Sequence, residues 1–154
     1  LKLKTMEEKS VALLNTLVEI NSDRLLGYQT AFDDTQDADL KNLFAEFSVT
    51  SKDCKKELEA EITKMGGTPT ADTHASGNLH RAWIDLKAAI TGDSRSTILS
   101  SCEFGENTAI DTYDKALSDS SSGLTGAQQT MVINQQKRIQ SNLDRVKGLM
   151  KVMA

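Results

Sequence analysis

LSSCEFGENTAIDTYDKAL, residues 99–117, places apolar side chains at Leu99, Cys102, Ala109, Tyr113 and Leu117. Steps of three and four keep one face of an α-helix dry. The step missing from that series is position 106, and it holds Glu106. A carboxylate therefore stands in the middle of a stripe that should be buried. Three other long segments interrupt their apolar stripes near the middle in the same way, so the chain reads as organised around one shared polar layer.

The helix around this stretch is expected over about 94–118, with Asp93 or Ser94 as its cap. Before it, LHRAWIDLKAAI (79–90) predicts a short helix with Leu79, Trp83, Leu86 and Ile90 on one face, stopped by Gly92. GGTPTADTHASGN (66–78) is loop by its Gly, Pro and small polar residues. A helix over 38–65 carries the stripe Leu40, Phe44, Phe47, Ser51, Cys54, Leu58, Ile62 and Met65, with Ser51 and Cys54 at its middle. Asp37 caps its start, and Gly66 and Gly67 end it. A first helix over 5–34 has a line through Leu14, Val18, Asn21, Leu25, Tyr28 and Phe32, interrupted at Asn21. Beyond the turn DSSSGLTG, a last helix over 125–153 reads Val132, Gln136, Ile139, Leu143, Val146, Met150 and Met153, interrupted at Gln136.

The fold class is all-α. The four long segments, at about 1.5 Å per residue, make rods near 40 Å. Short links pair the first with the second and the third with the fourth as antiparallel hairpins. The long middle link, with its own helix, is the length needed to cross the bundle, so the order predicted is up-down-down-up, one domain over 1–154, with Trp83 pinning the crossover helix. The hairpins superpose at a single offset of 85 residues: Leu14 on Leu99, Asn21 on Glu106, Tyr28 on Tyr113, Ala31 on Ala116, Ser51 on Gln136, Leu58 on Leu143 and Met65 on Met150. One offset that aligns both stripes, both tyrosines and the polar layer points to a duplicated hairpin, as in ferritin-like bundles.

Composition narrows the function. The chain has one Pro, aromatics at 5% and a net charge of −4. An acidic chain without a basic tract argues against nucleic acid and anionic membrane as partners. No apolar run approaches the ~18 residues of a membrane span. The first residues, LKLKTMEEKS, lack the apolar core of a signal peptide, and Cys54 and Cys102 are too few for a disulfide scaffold. The expectation is a cytoplasmic protein. There is no Gly-rich phosphate loop, Cys-x-x-Cys or His pair at i, i+4, which favours a non-enzymatic role and calls for no cofactor.

LHRAWIDLKAAITG, the run Cys102-Glu103-x-Gly105-Glu106 and the run Tyr113-x-x-Ala116-Leu117 resemble a bacterial family of ferritin-like four-helix proteins known as a domain of unknown function, over roughly residues 10–120. The resemblance implies a ferritin-like fold and no particular activity. Ferritin-like di-iron sites take a Glu from each of two helices and a Glu-x-x-His pair from each of the other two. Here the single-Glu positions are Asn21 and Glu106, and the pairs are Ser51 with Cys54 and Gln136 with Ile139, so one of the ligands is retained. The expectation is a hydrogen-bonded layer of Asn21, Ser51, Glu106 and Gln136 in a degenerate site, in a structural or stress-associated protein that self-associates, for instance as a homodimer. One alternative is a divergent metal or redox protein that holds iron or another divalent ion through Glu106, Glu103 and His80. Another is an interaction module whose crossover helix moves aside. Tyr28 and Tyr113 read as core residues whose hydroxyls find partners, His80 as a capping or packing residue and Asp33-Asp34 as a solvated face, while His74 carries no signal. Cys54 and Cys102 are expected as buried, reduced thiols, about 10 Å apart along the axis by helix rise. Glu106 is expected to be buried without a counter-ion, its pKa raised, and replaceable by Gln at no cost in stability.

Overall fold

The computed structural model describes residues 5–71, 77–92 and 94–153, and their side chains apart from those of 77–80 and 153. Among the described residues there is no strand. The helices are α1 (Met6–Asp34), α2 (Ala38–Lys64), α3 (Gly77–Thr91), α4 (Arg95–Ser118) and α5 (Gly126–Met153). The helix in the middle link begins two residues earlier than the periodicity suggests.

Local chemistry sets the ends. Thr5 and Glu8 form a capping box, each side chain accepting from the other's backbone N–H. The Asp37 carboxylate accepts from the Asp39 N–H at 2.9 Å and starts α2. α2 stops where Gly66 turns to φ +82°, a left-handed conformation that disfavours any side chain, and the Gly67 N–H reaches back to the Ile62 carbonyl at 3.0 Å. Ser94 caps α4 through the Thr97 N–H, and Thr125 and Gln128 bond reciprocally at the start of α5.

The helices pack as a bundle. Tyr28 near the end of α1 meets Phe44 and Phe47 early in α2, while Asn15 reaches Thr68 and Thr70 beyond its far end, so this pair is antiparallel. Glu61 meets Gln128 and Glu46 meets Arg145, which makes α2 and α5 antiparallel. Asn21 with Tyr113 and Tyr28 with Glu106 do the same for α1 and α4. α4 returns into α5 through a short turn. α1 makes no close backbone approach to α5, nor α2 to α4, so these are the diagonal pairs.

Buried side chains form two apolar clusters with the polar layer between them. One, around Leu14, Leu17, Leu58, Ile62, Val132 and Ile139, fills the end where α1 begins. The other, around Tyr28, Leu43, Phe44, Phe47, Leu99 and Cys102, fills the opposite end. Full burial of each large aliphatic or aromatic side chain contributes about 1.5–3 kcal/mol, and this mainly aliphatic interior carries the stability of the bundle.

α3 lies along the outside of α1 and α4. Its Trp83 ring stands edge-on to Tyr28 with centroids 4.8 Å apart. The ring sits so close over Gly27 that a Cβ there would lie 2.4 Å from its Cδ2. Among the described residues no helix is long and apolar enough to cross a membrane.

Candidate functional site

The polar layer assembles from the same helical spacing that builds the core. On α1, Asn21, Arg24 and Tyr28 follow at steps of three and four and are all buried. On α4, Glu106 and Tyr113 are two turns apart and fully buried. Facing each other, these residues close a continuous hydrogen-bonded network. The Arg24 guanidinium grips the Glu106 carboxylate, with Nη2 at 3.2 Å from Oε1 and 3.0 Å from Oε2 and Nε at 3.3 Å from Oε1. Both side chains are 0% exposed. The Tyr28 hydroxyl donates to Glu106 Oε1. Arg24 Nη1 donates to Asn21 Oδ1 at 3.0 Å, and Asn21 Nδ2 donates to the Tyr113 hydroxyl at 2.8 Å. Tyr113 donates to Gln135 Oε1 at 2.8 Å, and Gln135 Nε2 donates to the Cys54 carbonyl and to Glu57. The network thus runs through α1, α4, α5 and α2.

This arrangement corrects the view of Glu106 as a lone carboxylate. Arg24 is its counter-ion, so the expectation of a carboxylate buried without a partner is overturned, and a harmless Gln substitution loses its premise. Burial alone would lower the Arg24 pKa, but its acidic neighbours, Glu106 foremost with Tyr28 and Cys54, together outweigh it and hold Arg24 above its usual value. Burial, reinforced by Glu106, pushes the Tyr28 phenol well up, and burial also raises Tyr113. Both tyrosines are therefore neutral donors in the physiological range.

Two members of the expected layer stand elsewhere. Gln136 lies at the outer seam of α4 and α5, where its Nε2 donates to the Ile110 carbonyl and to Asp114. Its neighbour Gln135 occupies the interior instead, 1% exposed. Ser51 is buried, but its hydroxyl donates to the Phe47 carbonyl of its own helix at 2.8 Å, as Ser in a helix commonly does. Asn21 and Glu106 are not bonded to each other directly; Arg24 links them. Arg24, Gln135 and Glu57 are the residues that the sequence reading passed over. The available signal was Arg24's position, three after Asn21 and four before Tyr28, on the buried face.

The donor set does not fit a di-iron centre. Among the described residues no group of three or more His, Cys, Asp or Glu side chains is placed to hold a metal ion. The one retained carboxylate is engaged by a guanidinium, which brings positive charge of its own. Glu103 is half-buried one turn from Glu106 on α4 and takes no part in the network. The side chain of His80, and all of His74, lie outside the described residues.

Cys54 and Cys102 are buried and not bonded to each other. Burial pushes the Cys54 thiol up to about 11 and raises Cys102 further. A thiol held protonated is a poor nucleophile.

Fold and site together define an all-helical bundle with a charged, hydrogen-bonded layer sealed in its core. The chain belongs to the family described as a domain of unknown function (DUF2383), whose match covers residues 9–119 and so takes in α1 to α4. No curated protein sequence is significantly similar to the chain.

Proposed function

We propose that this protein is a ferritin-like up-down-down-up bundle in which a buried ion pair stands where a di-iron centre would lie, and that its role is structural rather than catalytic. The observation that carries this reading is the Arg24 guanidinium bonded to both oxygens of Glu106, with both side chains fully buried. A di-iron site gathers several carboxylates because its ions carry several positive charges into a low-dielectric core. Here one carboxylate meets one guanidinium, and the charges balance without an added ion. The 85-residue repeat and the antiparallel order of neighbouring helices support the ferritin-like topology. The net charge of −4 argues against nucleic acid and anionic membrane as partners.

The test is a thermal melt of protein purified without chelator, repeated after chelation and after added iron or zinc, together with elemental analysis. A ligand that binds only the folded state raises the melting temperature by mass action. The expected result is no stoichiometric metal and superimposable melts. A melting temperature that falls on chelation and returns with metal would overturn the proposal.

A further inference from the structure

The internal repeat and the bonds across the core describe one geometry twice. Tyr28 on α1 donates to Glu106 on α4. Tyr113, which is Tyr28 displaced by one repeat, accepts from Asn21, which holds the place of Glu106 in the first repeat. The hairpins α1–α2 and α4–α5 therefore face each other as if related by a two-fold axis, with Leu14 answering Leu99, Ala31 answering Ala116 and Leu58 answering Leu143. A surface that fits its own repeat across a two-fold axis also has the shape to fit a second copy of itself. One chain's α1–α2 could then take up another's α1–α2, and α4–α5 likewise. Apolar packing does little to prevent this, since hydrophobic burial is non-directional. The layer contains the feature that breaks the symmetry: Arg24 has Ala109 at its repeat position, and Glu106 has Asn21.

We infer that the Arg24–Glu106 pair assigns α1–α2 to α4–α5 and refuses the like pairings. In the same antiparallel register, α1 against a second α1 brings the two Arg24 guanidiniums side by side and leaves both without the Glu106 carboxylate that each is built to grip. α4 against a second α4 gives each Glu106 a Tyr113 hydroxyl but no cation. Burying an uncompensated charge costs far more than burying a paired one, and a penalty on the wrong partner is what makes pairing specific. The hairpin face of this protein thus accepts one partner surface, the complementary hairpin, from its own chain or from a second copy. The inference rests on the repeat and the ion pair and does not depend on whether metal binds elsewhere.

The full chain carrying Arg24→Met with Glu106→Gln keeps the size of the layer and removes both charges. The parent, unfolded in denaturant and refolded at high concentration, should return to one species by size-exclusion chromatography with light scattering. The neutral double variant should divide among several, as like hairpins pair between chains. A folded double variant that returns to the parent's single species overturns the inference. Should the double variant fail to fold, charge reversal decides. R24E and E106R each bury like charges and should melt far below the parent alone. Refolded together in equal amounts, they can re-form the acid–base pair between chains. The expected result is a species containing both chains that melts well above either variant. A mixture that melts no higher than its components overturns the inference.

Discussion

Arg24 and Glu106 are each wholly buried, and each is tolerated because of the other. Removing one partner leaves an uncompensated charge in the core, which typically costs about 3–5 kcal/mol, whereas replacing both by uncharged groups of similar size is often close to neutral. Glu106→Gln should therefore lower stability by about that amount and Arg24→Met likewise, while the double variant recovers most of the loss. Denaturant titrations of the four proteins form the cycle that reads this coupling; additive losses would show that the pair does not act as a unit. The substitution at Glu106 is the point on which sequence and structure part. Position 106 was legible because it breaks an apolar stripe. Its partner was not, because an Arg among Ser, Asp and Leu at 22–26 resembles one more solvated charge. Read by spacing, Arg24 falls between Asn21 and Tyr28 on the same face, and only the approach of α4 shows that this face meets a carboxylate there.

At the scale of the helix, all five elements were legible, since stripes, caps and Gly stops agree along the chain. The facing of α5 was not. Val132, Ile139, Leu143 and Val146 suit a line through 135 as well as one through 136, and both positions are Gln. Only contact with Tyr113 and Cys54 selects Gln135 for the interior. The crossover helix offers a sharper test. α3 buries Ala82, Leu86 and Ala89, and it meets α1 through Trp83, whose ring covers Gly27 and abuts Tyr28. A Cβ at 27 would lie 2.4–2.7 Å from three atoms of that ring, so the ring must move, and with it the seat of α3 on α1. Gly27→Ala should cost about 1–3 kcal/mol, as overpacking does. Trp83 is the protein's one tryptophan, so its emission reports the change directly. The expected result is a red-shifted spectrum and faster amide exchange confined to α3. An unchanged spectrum with unchanged exchange would show that the contact does not hold the helix.

For the molecule as a whole, the core holds its ionisable groups in one charge state, and alkali should be the condition that exposes this. Burial raises the Cys54 thiol from 9.0 to about 11, and Cys102, Tyr28 and Tyr113 are raised as well. A raised pKa in the folded state means that the fold favours the protonated form. Below about pH 9 both states of the chain are protonated at Cys54, and its contribution to stability is fully present. Between 9 and 11 the unfolded chain ionises while the folded one does not, so stability falls as pH rises. Each unit of difference corresponds to about 1.4 kcal/mol, so Cys54 alone accounts for a loss on the order of 2–3 kcal/mol by the top of that window. The melting temperature should hold nearly level to pH 9 and then decline steeply. Cys54→Ala should start lower at neutral pH, from the lost packing, yet decline less between pH 9 and 11, because it has no thiol left to ionise. Parallel curves for parent and variant across that window would mean that Cys54 is as free to ionise in the folded protein as in the unfolded chain.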